Sequence, residues 1–388
     1  MKAKCLLFGA FAGLLAAAGC GGNSVIKVPP AVSCTPSSQP EFAYVLDNYS
    51  TASSSAVNTV SIYTINSCTG NLSPTTPATV ATGANSFGAE GLAVDPSGRF
   101  AYVANLMSNA TDLATISMYT INSSTGVLTP TTPATVPTGF FPQGIAIDRS
   151  GKFVYTANSD DNTVSMFTIN PGTGVLTPTT PPTVATGLSP IAVTVDPSGR
   201  FAYVSNQDDS TISMYTINTS TGVLTPTTPA TVSGGGAFAV TIAPSGKFAY
   251  APVPYGNVVL QFTIDSVTGV LLPNTPSEVP AGNNPAWVAV DRSSKFVYVT
   301  NRLDNTVSMF TVDPGTGNLT PNTPATIAAG AQPWPIVVEP SGKFVYVGNE
   351  NSPEVSIYAL NSDGTLASAG SAAATAGASS VAVTATKR

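Results

Sequence analysis

Histidine is absent from all 388 residues, and with it goes every mechanism that needs an imidazole as base, proton shuttle or metal ligand. Ser-His-Asp and Cys-His nucleophiles fail together, as does copper or haem ligation of the redox-propeller kind. Charge is scarce as well. Asp, Glu, Lys and Arg make up 9% of the chain against 43% hydrophobic residues, too apolar and too patterned for disorder, and no stretch has the composition of a long helix. Cysteine occurs only at positions 5, 20, 34 and 68. No EF-hand loop is present. Adjacent carboxylates do occur in tight turns, SDDN at Ser159 to Asn162 and QDDS at Gln207 to Ser210, where calcium is an alternative to an ordinary turn role.

The amino terminus reads MKAKCLLFGAFAGLLAAAGCGG, with Lys2 and Lys4 ahead of an apolar run from Leu6 to Ala18 and small residues before Cys20. This is the pattern of a secretory signal, too short for a membrane span. Leu14 to Cys20 resembles the bacterial lipobox, which implies lipidation at Cys20, an exported protein anchored at the outer membrane or cell surface, and removal of residues 1–20. Gly21 in place of aspartate resembles outer-membrane sorting. An ordinary cleaved signal, giving a periplasmic or secreted protein, is the alternative. Residues 21–40, rich in Gly, Ser and Pro, then read as a tether and 41–388 as the folded body. The mature chain keeps Cys34 and Cys68 in an oxidising compartment, either as a disulfide pinning the tether to the first repeat or as two thiols.

What is abundant is repetition. Phe-x-Tyr recurs at Phe42/Tyr44, Phe100/Tyr102, Phe153/Tyr155, Phe201/Tyr203, Phe248/Tyr250, Phe296/Tyr298 and Phe344/Tyr346, settling to a spacing near 48 residues. Each unit holds four short alternating runs. In residues 191–232 these are IAVTVD, FAYVSN, TISMYTIN and VLTPTTPATV, separated by PSGR, QDDS and TSTG turns, and they are called strands A to D from the axis outward. One four-stranded sheet cannot bury both faces until neighbours cover them, so the period predicts an all-β, seven-bladed β-propeller of antiparallel blades. The body starts on a B strand at Phe42 and ends on an A strand near Val381. Seven A strands exist only if this last segment completes the first blade, latching the ring. Val381 is expected to be buried, and Val381→Asp to unlatch it. Prolines along most D strands keep the outer edge from recruiting another strand.

The segments YVANL, YTANS, YVSNQ, YVTNR and YVGNE, each following a DPSG-type turn and a phenylalanine, resemble the YVTN-repeat propellers of the seven-bladed lactonase-like family over residues 41–385. The resemblance implies the propeller fold. It also implies either lactone hydrolysis of the 6-phosphogluconolactonase type, whose sites use His, Glu and Arg at the channel mouth, or a surface protein of the kind that has no assigned activity. With no histidine to place there, Glu90 polarising water and Arg302 holding a carbonyl oxygen are the catalytic candidates.

Propeller convention sorts the charges. The B-to-C and D-to-A connections on the top rim hold ten acids against Arg302, a field that repels phosphorylated sugars and nucleic acid and favours cations or basic partners. Setting aside the repeat positions and the signal, eight aromatics remain, and all map to the top: Tyr49, Phe87, Phe140, Phe141, Phe238, Tyr255, Trp287 and Trp334. Seven of them, Tyr49 excepted, with Glu90, Gln143 and Arg302, form the candidate ligand surface. The leading expectation is a monomeric, lipid-anchored binding or scaffold module for a cell-envelope glycan or protein, without cofactor or metal; a histidine-free lactone hydrolase is the alternative.

Overall fold

Period-two alternation along each repeat produces four strands, and seven repeats produce seven four-stranded antiparallel sheets. The computed structural model describes residues 34, 39–48, 58–83, 89–106, 114–374 and 377–384. It divides into an N-terminal unit, Met1–Thr35, of which only Cys34 is described, and a body, Pro36–Arg388. Cys20, Tyr49, Phe87 and the side chain of Glu90 lie outside the described residues. Cys34 and Cys68 are each disulfide-bonded. All regular elements among the described residues are strands.

Blade 4 shows the plan. Its strands Pro190–Val195, Phe201–Asn206, Thr211–Ile217 and Leu224–Ser233 lie in that order from the axis outward. Strand B is buried along its whole length in five blades, 2 to 5 and 7, because both faces are covered by neighbouring blades. Strand D alternates only weakly and exposes most of its residues. It also bulges: Ser213 faces Thr231 but Tyr215 faces Pro226, so extra residues loop outward opposite Met214.

The ring closes as the strand count predicts. Gly377–Val383 pairs with Glu41–Asn48, setting Tyr44 opposite Ala382 and Val45 opposite Val381. Thr384 Oγ1 accepts the Phe42 amide at 2.9 Å, a place that a turn aspartate fills elsewhere: Asp148 takes the Lys152 and Phe153 amides at 2.8 and 2.7 Å. Val381 corrects the sequence reading. It is half-buried and lines the central channel, so a carboxylate there has access to the channel. The buried residues of the latch strand are Ala378, at 0% exposure, and Ser379 beside it.

Blades are joined by the motif aromatics. Each strand B tyrosine donates its hydroxyl to the glycine carbonyl of the C-to-D turn in the next blade: Tyr44 to Gly126, Tyr102 to Gly174, Tyr155 to Gly222, Tyr203 to Gly269, Tyr250 to Gly317, Tyr298 to Gly364 and Tyr346 to Gly70, all at 2.7–3.0 Å. Strand C tyrosines reach the other way, Tyr119 to Ala81 and Tyr215 to Ala185, at 2.8 and 2.6 Å. The asparagine that ends most B strands is buried and donates to the strand C serine, as Asn206 does to Ser213 at 2.9 Å. These motif residues therefore build the ring.

Candidate functional site at the channel mouth

Strand A of each blade enters the axis from the top rim, and its register is common to the blades. Ala89, Pro142, Pro190, Pro285 and Pro333 each face the asparagine that ends strand B, followed at once by an irregularity in the ladder. Bulges of this kind turn a side chain out of the sheet plane. The residue after each of these is Glu90, Gln143, Ile191, Ala286 and Trp334, and the pairing of Thr241 with Tyr250 puts Phe238 at the same register in blade 5. Of these residues Gln143, Ile191 and Trp334 line the cavity below, Phe238 and Ala286 are buried behind it, and the Glu90 side chain is outside the described residues.

Below it is a cavity of about 360 Å³, lined by Gln143, Trp287, Trp334 and aliphatic or small residues of the seven A strands. That volume suits a small ligand. Among the described residues no Asp, Glu, Lys or Arg lines it. Trp287 and Trp334 are half-buried, with ring centroids 6.2 Å apart and planes inclined at 41°. Phe238, only 9% exposed, packs against Trp334 from behind at 5.3 Å, so it supports the wall and does not line it.

Arg302 lies over Trp334 with its guanidinium carbon 4.6 Å from the ring centroid. It forms an ion pair with Glu350 and donates to Gln332 Oε1 at 3.3 Å, while its buried Nε has no acceptor. Arg302 and Glu350 each follow the strand B asparagine, in adjacent blades, and that shared repeat position is the sequence signal for a pairing that residue counting missed. Glu90 is on blade 2, away from Arg302 on blade 6 around the ring.

The remaining candidates sit farther out. Phe140, Phe141 and Tyr255 are 41%, 40% and 80% exposed on the rim and line no part of the cavity. The paired aspartates tie one top loop to another: Asp161 accepts the Phe140 amide at 2.7 Å, Asp209 the Leu188 amide at 2.9 Å, and Asp208 the Ser189 hydroxyl at 2.6 Å. Their carboxylates carry the loop role of turn residues. No group of three or more Cys, Asp or Glu converges on a metal-sized site among the described residues.

A uniform ring with one varied register at its mouth matches the model of the lactonase, seven-bladed beta-propeller family over residues 54–188, 182–237 and 268–383. The chain belongs to that family. No curated relative matches the sequence. Among solved structures, provisionally assigned 6-phosphogluconolactonases from Bacteroides uniformis and Bacteroides fragilis are similar, with TM-scores of 0.73 and 0.71 and identities of 22% and 20%. Each alignment covers 89% of this chain, and 100% and 98% of the respective relative. The periplasmic gluconolactonase of Pseudomonas aeruginosa aligns at TM-score 0.71 and 18% identity over 90% of this chain and 100% of its own. Identities this low carry the fold alone. The mouth of this chain holds two tryptophans and a matched Arg302–Glu350 pair, and its sequence has no histidine.

Proposed function

We propose that this protein hydrolyses a lactone at the top mouth of its channel. The observation that carries the reading is Arg302, a partly exposed cation stacked on Trp334 beside the cavity of a lactonase-family propeller. Arg302 donates to the lactone carbonyl oxygen and stabilises the negative charge that builds there when water adds. Glu350 and the Trp334 ring hold the guanidinium in place. Without histidine, a carboxylate takes the proton from water, and Glu90 of blade 2 is assigned that role from the sequence, its side chain lying outside the described residues. Addition of water to the carbonyl carbon is followed by cleavage of the ring C–O bond. The proton then passes to the departing alkoxide, giving a hydroxy acid that the acidic rim repels.

The test is a lactone panel assayed on the mature protein. Hydrolysis is expected in the wild type, with at least a ~100-fold loss of kcat in Arg302→Ala, the scale of removing one oxyanion donor, at unchanged melting temperature. A panel with no hydrolysis, or an Arg302→Ala variant at wild-type rate, sinks the proposal.

A second reading, a binding module for an envelope glycan or protein, rests on the exposed rim aromatics. Phe141 holds a φ of 52°, which its counterparts Ser189, Asn284 and Gln332 share at 51°, 54° and 50° but which a bulky side chain disfavours. Phe141→Asn is expected to stabilise the fold by about 0.5–1 kcal/mol and, if the rim binds, to weaken retention on envelope glycans. Equal retention by Phe141→Asn and by a Phe140→Ala, Tyr255→Ala double variant would remove the rim's claim.

A further inference from the structure

The lining of the cavity, without a charged side chain among the described residues and with two tryptophans on one side, bears on which lactone would enter. A phosphorylated or otherwise anionic substrate needs a cation to replace its lost hydration. Arg302 is the cation of the top connections, and Glu350 already matches its charge. A polyhydroxylated sugar ring needs several donors and acceptors around its edge. Several of the side-chain hydroxyls are already engaged: Thr194 and Thr241 donate to the Val240 and Val288 carbonyls of the next blade at 2.7 and 2.9 Å, and Ser379 to the Ala89 carbonyl at 2.9 Å, while Ser380 stands on the blade 1 wall. Gln143 is the long polar side chain that remains, at one side of the cavity. Facing it across the axis, Trp287 and Trp334 present half-buried rings, with Phe238 packed behind Trp334 and Ile191 beside it in the lining.

We infer that the mouth selects an uncharged lactone carrying an apolar alkyl or aryl substituent, seated on Trp287 and Trp334, with its polar ring edge toward Gln143. The inference rests on the lactonase reading for the ring class of the ligand and goes beyond it in assigning specificity to the tryptophan wall. Trp287 and Trp334 are binding residues in this assignment. Phe238 is a positioning residue that holds Trp334 in place.

The chain contains two tryptophans, and both stand in this wall, so intrinsic fluorescence reports its occupancy directly. Two lactams serve as non-hydrolysable probes: an alkyl-substituted δ-valerolactam and gluconolactam. The alkyl lactam is expected to shift the emission and to bind at least about tenfold more tightly than gluconolactam. Trp334→Ala, read through Trp287, is expected to lose most of that preference, and Trp334→Phe to recover part of it, with melting temperatures showing that all variants fold. Equal or tighter binding of gluconolactam, no binding of either probe, or an alkyl preference unchanged in folded Trp334→Ala overturns the inference. Hydrolysis separates this outcome from the reaction. Lactam binding with no turnover of the matching lactone removes the hydrolase and keeps the pocket, whereas turnover of sugar lactones without alkyl preference keeps the hydrolase and removes the pocket.

Discussion

Tyr155 and Gly222 meet between blades 3 and 4 in a contact made once per blade around the ring. The Tyr155 hydroxyl is buried against the Gly222 carbonyl at 2.9 Å, and burial raises the phenol's pKa, keeping it a neutral donor at any physiological pH. Tyr155→Phe leaves that carbonyl without its donor and is expected to lower stability by about 1 kcal/mol in denaturant titration. Gly222 contributes twice. Its φ of 77° suits glycine, and any Cβ would enter the Phe153 ring. Gly222→Ala is therefore expected to cost more, roughly 2–4 kcal/mol. A smaller loss than in Tyr155→Phe would show that the turn can move away from the ring.

Glu41 gives the residue scale its pH dependence. It is 4% exposed at the start of the first B strand, and its pKa is raised above the ordinary 4.5 by burial and then by the Glu339 carboxylate, with Lys343 opposing. A raised carboxyl pKa means that the folded state binds the proton more tightly than the unfolded state does. Its contribution to stability is full below pH 4.5 and is lost as pH rises through the folded value. Glu41→Gln should therefore match the wild type in acid and exceed it at neutral pH. Parallel melting curves across that range would refute the assignment.

At the scale of elements, the latch separates two substitutions that the sequence alone could not rank. The strand count placed Gly377–Val383 against the first B strand, because an orphan A pattern at one terminus and an orphan B pattern at the other leave one arrangement. Which residues of that strand are buried depends on the small register shift between Leu46 and Asp47, which no alternation pattern reports. Ala378→Asp, at a fully buried site, is expected to cost several kcal/mol. Val381→Asp, at the channel wall, is expected to cost less. Comparable losses would mean that the channel excludes water as completely as the space between blades does. The strand B asparagines make the same point from the other side: repetition made them conspicuous, and they serve as buried donors to strand C.

At the scale of the whole molecule, what repeats was legible and what differs was not. Seven copies of one packing solution average out local ambiguity, so blade count, strand order and closure follow from spacing alone. The mouth is written in a single register where the blades disagree, and no pattern tells a ring that lines a cavity, such as Trp334, from one that supports it, such as Phe238. Aromatics outside the repeat positions grouped Trp287 and Trp334 with Phe140, Phe141 and Tyr255, which lie apart from the cavity wall. Where the molecule works is a proposal read from residues 1–33, which lie outside the described structure, so that there the sequence stands by itself. Lipidation at Cys20 is proposed from the lipobox-like Leu14 to Cys20 segment and constrains the substrate, since an envelope lactonase meets lactones arriving from outside the cell or made in the envelope. The prediction is a mature chain that begins at acylated Cys20, partitions into detergent, and is released by Cys20→Ser with unchanged lactone turnover. A single acyl chain holds a membrane only marginally, so stable partitioning requires the multiply acylated form. Mass spectrometry of the mature terminus decides the matter, and an unmodified start at another residue would make the protein freely soluble in its compartment while leaving the mouth and its chemistry as they stand.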